Sequence, residues 1–150
     1  MNNKIIIYTD GGARGNPGPA AIGVVVHGEF VEPIGTKKYA ETIGETTNNV
    51  AEYQALIFGL KKARQLLGKE KAKEANIEVR TDSELIAKQL KGEYRVKEED
   101  LKPLFIDVWN LKQDFKTVEF VHIPREKNRE ADELVNKALD GKKEVKNGLF

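Results

Sequence analysis

The run Lys4-Ile-Ile-Ile-Tyr-Thr9 carries apolar, mostly β-branched side chains at consecutive positions and stops at Asp10-Gly-Gly. Alternation along a strand sends successive residues to opposite faces, so this run puts apolar groups on both. It therefore predicts a central strand covered on both sides, ending in a turn. A chain built around such a strand needs partners above and below it. The rest of the sequence supplies them.

After a Gly/Pro-rich segment at 11–19, Ala21-Ile-Gly-Val-Val-Val26 and a second strand from Phe30-Val31 to Tyr39 flank a short turn at His27-Gly28-Glu29. This predicts an antiparallel meander. From Thr47 to Leu67 the period changes: Tyr53, Leu56, Ile57, Leu60, Ala63 and Leu67 form the stripe of a core-facing helix. Asn76 to Thr81 alternates as a strand, and Ser83 to about Leu90 reads as a short helix. Glu98 to Phe115 reads as a long helix, with Pro103 tolerable in its first turn. Thr117 to Ile123 is a further strand and Asn128 to about Asp140 a last amphipathic helix. The order β-β-β-α-β-α-α-β-α predicts an α/β fold, a five-stranded mixed sheet with helices on both faces. Residues 1–140 form one domain; 141–150 form a polar tail ending in Leu149-Phe150.

The chain has 150 residues, 39% of them hydrophobic and 33% charged, which excludes a disordered or membrane-embedded class. No apolar run reaches the roughly 18 residues of a membrane helix. The N-terminus lacks signal-peptide zones, and zero cysteines exclude disulfides and thiolate metal sites, so the expected location is the cytoplasm. A net charge of +1 gives no bulk attraction for nucleic acid, so polyanion binding requires local basic groups.

Two predicted strands end alike, Thr9-Asp10-Gly11 and Thr81-Asp82-Ser83. The carboxyl ends of parallel strands are where α/β sheets bind ligands. Each Asp could instead cap a turn or the following helix. Glu52 lies on the margin of the helical stripe, where the helix dipole also favours a first-turn acid. Asp132 stands four residues after Asn128, on a helix face that could simply be solvated. If the four converge, their repulsion must be relieved by protons or cations. Oxygen donors without His or Cys point to Mg²⁺ or Mn²⁺. Two such ions about 4 Å apart make a phosphoryl-transfer site.

The Gly-rich segment matches neither a dinucleotide fingerprint nor a Walker loop: its spacing differs, Pro17 and Pro19 interrupt it, and no Gly-Lys-Ser/Thr follows. Tyr8-Thr-Asp-Gly-Gly-Ala-Arg-Gly-Asn-Pro-Gly-Pro19, Thr46-Thr-Asn-Asn-Val-Ala-Glu52, Thr81-Asp-Ser83 and Asn128-Arg-Glu-Ala-Asp132 together resemble the four signatures of type 1 ribonuclease H. The resemblance runs through about residue 140 and implies the ribonuclease H-like fold. It implies two-metal hydrolysis of the RNA strand of an RNA·DNA hybrid by Asp10, Glu52, Asp82 and Asp132, leaving 5′-phosphate and 3′-hydroxyl ends. It also implies substrate contacts by Gly11, Gly12, Asn16, Thr47, Asn48, Asn49, Ser83 and Asn128, in part at the 2′-hydroxyls that distinguish RNA from DNA. Thr47-Asn48-Asn49 could equally cap the long helix, and both roles can coexist.

Two departures from the family pattern stand out. Only Lys91-Gly-Glu-Tyr-Arg-Val-Lys97 lies where some members insert a basic protrusion, so this resembles the short, archaeal-like form. With no hybrid-binding domain expected before Met1, affinity is expected from the groove, through Arg14, Lys37, Lys38 and Arg95. The loop His122-Ile-Pro-Arg-Glu-Lys-Asn128 is short, and either His122 or Arg125 matches the residue that assists turnover in relatives. Arg125 is favoured, because the alternation around His122 fixes its imidazole to the sheet. Some short-loop relatives also cut double-stranded RNA. The competing readings are a catalytically silent binding module, which would have lost a carboxylate, and a resolvase or transposase core on the same fold. A monomer is expected.

Overall fold

The computed structural model describes residues 4–28 and 34–148. Strand β1 spans Lys4–Ala13, β2 Gly18–Gly28 and β3 Gly35–Thr46. Helices α1 (Asn48–Leu67) and α2 (Lys69–Ala72) lead to β4 (Asn76–Thr81), followed by α3 (Glu84–Leu90) and α4 (Lys102–Lys112). Strand β5 (Thr117–His122), a 3-10 turn at Arg125–Lys127 and α5 (Arg129–Gly148) complete the chain. The sheet order is β3-β2-β1-β4-β5. The meander β1-β2-β3 is antiparallel, while β4 lies parallel to β1 and β5 parallel to β4. No helix among the described residues is long and apolar enough to cross a membrane.

Two unequal cores hold the layers together. On one face Ile5, Ile7, Ile22, Val24, Ile77 and Val79 meet α1, α3 and α4. All six residues of the expected α1 stripe are buried there. On the other face α5 sets Val135 and Leu139 against Ala21. The double cover expected for β1 is therefore partial. Ile6 and Tyr8, in the opposite phase to Ile5 and Ile7, are only half-buried.

Several boundaries differ from expectation. Strand β1 does not end at Thr9: Gly11, Gly12 and Ala13 stay in register with Ile22, Ala21 and Ala20. Small residues on both strands let the ladder run on, so the turn shrinks to Arg14–Pro17. Helix α4 begins at Lys102 and not at Glu98; the acidic Glu98-Glu99-Asp100 stretch forms turns that lead into the buried Leu101. Helix α2 was not anticipated, and α5 continues past Asp140 to Gly148. The predicted start of the third strand at Phe30-Val31, the turn residue Glu29 and the apolar end Leu149-Phe150 lie outside the described residues.

Candidate active site

Strand pairing brings the first two carboxylates together. Thr9 of β1 lies beside Thr81 of β4 in parallel register, so Asp10 and Asp82 follow at neighbouring strand ends. The other two arrive through close backbone approaches. A Cβ on Gly11 would stand 2.2 Å from the Ala51 carbonyl oxygen, so only glycine lets α1 rest on the strand there. The Gly11 amide then donates to Glu52 Oε1. Across the ladder, Gly23 pairs with Asp10, and a Cβ on Gly23 would stand 2.1 Å from the Ala131 carbonyl oxygen. Helix α5 is thereby seated against β2 opposite Asp10, which places Asp132 within electrostatic and hydrogen-bonding reach of that residue.

The outcome is a concentration of negative charge in a desolvated place. Asp10, Glu52 and Asp82 each offer a carboxylate oxygen, and these atoms lie within 4.8 Å of one another. Burial raises the Asp10 pKa to about 7, with repulsion from Asp82 and Asp132 adding to it and contact with Glu52 opposing it. Glu52 is 8% exposed, and its pKa lies well above the usual carboxylate range, first through burial and then through Asp10. Such a cluster takes up protons or a cation. Its donors are all hard oxygens, which fits a divalent ion of the Mg²⁺ type and not zinc.

The family model described as reverse transcriptase-like matches residues 8–138. The ribonuclease HI of Halobacterium salinarum is 41% identical over 140 residues, spanning 91% of this chain and 65% of that protein. This chain belongs to the type 1 ribonuclease H family. The bifunctional protein Rv2228c of Mycobacterium tuberculosis is also 41% identical, over 138 residues that span 91% of this chain. This chain thus spans about a third of the mycobacterial protein (36%) and just under two thirds of the haloarchaeal one (65%). Among solved structures, LC11-RNase H1 in complex with an RNA/DNA hybrid matches with a TM-score of 0.82 and 52% identity, over 91% of this chain and 97% of that one. As in the short form of the family, the stretch between α3 and α4 forms no protruding helix.

The residues expected to face a ribonuclease H substrate occupy varied places. Thr47 is the N-cap of α1, its hydroxyl accepting from the Val50 amide at 3.3 Å. Asn48 and Asn16 bind the first hairpin to that helix end: Asn48 Oδ1 accepts from the Ala13 amide at 2.9 Å, and Asn16 Oδ1 from the Asn48 amide at 3.0 Å. Both bonds use the oxygen. Asn49 is half-buried and donates to Glu98 at 3.2 Å, and Ser83 caps α3 by accepting from the Ile86 amide. Gly12 faces α5, where an added Cβ would make ordinary contact with Val135. Of the roles left open for residues 47–49, capping falls to Thr47, with Asn48 and Asn49 at the same helix end.

Other expectations need correction. Asn128 was placed among the substrate contacts, yet it is 1% exposed and donates to the Thr9 carbonyl at 2.9 Å. The sheet holds the backbone of His122, which pairs with Thr81, but not its side chain. It is exposed at the end of β5, an edge strand, while Arg125 opens the exposed 3-10 turn beyond it. Of the four groove cations, Arg14 pairs with Asp140 at 2.8 Å and Lys38 with Glu130 at 2.6 Å, both on α5. Sequence reasoning missed Gly23. A glycine inside a β-branched run, Ala21-Ile-Gly-Val-Val-Val26, was the available signal.

Proposed function

We propose that this protein hydrolyses the RNA strand of RNA·DNA hybrids, using two divalent ions, Mg²⁺ with Mn²⁺ as substitute, and leaving 5′-phosphate and 3′-hydroxyl ends. The observation that carries the reading is the convergence of Asp10, Glu52 and Asp82, with Asp132 beside Asp10, at one end of the sheet. These carboxylates would hold the ions. Bound ions of this kind lower the pKa of a water and steady the leaving oxygen. The chain itself binds and orients the hybrid. Asn16, Asn48 and Asn49 lie together at the α1 N-terminus, with amide groups suited to the RNA minor groove and its 2′-hydroxyls. Thr47 is suited to a phosphate of the DNA strand, and Gly11 and Gly12 continue β1 just past Asp10, where their backbone would lie close to the substrate. Ser83 lies next to Asp82 at the same edge. Arg125, always charged, would grip a phosphate oxygen through charge-assisted hydrogen bonds. The reading takes the protein as a cytoplasmic monomer, and a chain without cysteine suits that reducing compartment.

The test is one assay with labelled RNA·DNA, RNA·RNA and DNA·DNA duplexes, each with Mg²⁺, Mn²⁺ or EDTA. The RNA strand of the hybrid should be cut with either ion and left intact in EDTA. Cutting of RNA·RNA measures the side activity of short-loop relatives. Equal cutting of DNA·DNA, or undiminished cutting in EDTA, would contradict the proposal.

A further inference from the structure

Asn128 ties together the three elements that carry Asp10, Asp82 and Asp132, from the buried side of the carboxylate site. It is 1% exposed, and its side-chain amide donates to the Thr9 carbonyl at 2.9 Å, one residue before Asp10. The same nitrogen lies 3.5 Å from Asp82 Oδ2, a long contact aimed by the shorter one. Its backbone carbonyl accepts from the Asp132 amide at 3.1 Å, inside the first turn of α5, and its own amide closes the 3-10 turn onto the Arg125 carbonyl at 2.9 Å. One residue thereby joins the end of β1, the end of β4 and the start of α5. Those three elements carry Asp10, Asp82 and Asp132.

The chemistry of the amide suits this place. Both neighbours of Nδ2 are acceptors, so the nitrogen must face them and Oδ1 must face away. Among the described residues Oδ1 accepts from no protein donor. A carboxylate at 128 would set oxygen against the Thr9 carbonyl and charge against Asp82. An apolar side chain would leave the buried carbonyl without this partner and Asp82 free to rotate.

We propose that Asn128 is a positioning residue that orients Asp82 relative to Asp10 and Asp132 for divalent-ion binding. This rests on the metal reading above. A partner hydrogen-bonded behind a liganding carboxylate limits its rotation, and removal of such partners commonly weakens metal affinity about 10–100-fold.

The experiment is calorimetric titration of metal-free protein with Mn²⁺, comparing the unaltered chain and Asn128→Ala well below their melting temperatures. The Kd should rise about 10-fold or more in the variant. In cleavage assays the ion concentration for half-maximal rate should rise in parallel, excess Mn²⁺ should restore much of kcat, and KM for the hybrid should stay within about twofold. A folded variant with an unchanged Mn²⁺ Kd overturns the inference, even if its melting temperature has dropped. Should Asn128→Ala fail to fold, the unaltered chain gives the answer by NMR. The Asn128 side-chain ¹H–¹⁵N resonances should shift with Mg²⁺ saturation, and resonances that stay fixed through saturation overturn the proposal. An unaltered chain that binds no Mn²⁺ removes the metal reading itself, whereas an unaltered chain that binds Mn²⁺ beside a folded variant that binds it equally well removes this inference alone.

Discussion

Asp10 is the residue at which burial and like charge act together, and its pKa of about 7 compares with an ordinary 3.8. A folded-state pKa above the unfolded value means that the native state binds the proton more tightly. The stability this gives is complete below about pH 4 and is lost as pH rises through about 7. Burial shifts Glu52 in the same direction. In EDTA, Asp10→Asn should therefore melt a few degrees higher than the unaltered chain at pH 8, and the advantage should shrink towards pH 5. Scanning calorimetry at both pH values checks this; equal melting temperatures at pH 8 would contradict it. The convergence of Asp10, Glu52 and Asp82 was legible from the family resemblance together with their places at two strand ends and a helix margin. Each place taken alone also fits a cap or a solvated acid. Asn128 was misread, because nothing local distinguishes an amide that reaches substrate from one that reaches 119 residues back to Thr9. His122 was misread too, since alternation gives the face of a strand but not whether that strand lies at the edge. With His122 exposed, His122→Ala should change neither melting temperature nor kcat by much. Arg125→Ala should lower kcat about 10-fold or more, as expected for one lost phosphate clamp. The reverse pattern in steady-state kinetics would transfer the role to His122.

Elements meet at the site because glycine removes the spacing that side chains impose. Gly11 admits α1 to β1, and Gly23 admits α5 to β2. Gly23→Ala should cost about 1–3 kcal/mol, as for an overpacked core, because the obstacle is backbone and cannot swing aside. Gly12→Ala, whose Cβ would stand 3.7 Å from Val135, should cost far less stability. Denaturant titration of both variants checks the contrast, and equal costs would count against seating of α5 by Gly23. Element type was legible throughout, from the period-two runs and the 3.6-residue stripe of α1. Boundaries were less so. The Gly-Gly after Asp10 signals a turn, but the pairing of Gly11 and Gly12 with β2 kept them in the strand. The start of α4 depended on the burial of Leu101, which no neighbouring residue announces.

For the whole molecule, a net charge of +1 and the pairing of Arg14 and Lys38 with α5 acids leave modest electrostatic attraction for a duplex. Hybrid binding should still weaken as salt rises from about 50 to 200 mM, because each phosphate contact releases counterions. Cleavage at limiting substrate that stays flat across that range would contradict a groove-based footprint. The five-stranded mixed sheet with helices on its faces follows from element order and connection rules and was legible, whereas the strand order β3-β2-β1-β4-β5 was not among the expectations. The extent of α5 beyond Asp140 was not, since a polar, charged stretch at a chain end reads as tail. Deleting 141–150 should lower the melting temperature or leave it unchanged while cleavage persists; a folded truncation without activity would contradict this. The central claim is that the carboxylates at the sheet end cut RNA through divalent ions. Its most direct measurement is the initial rate of RNA-strand cleavage in a labelled hybrid against free Mn²⁺ concentration, for the unaltered chain and Asp10→Asn. The account predicts a rate that climbs from background to a plateau for the first and stays at background for the second. A variant that follows the unaltered curve would contradict it.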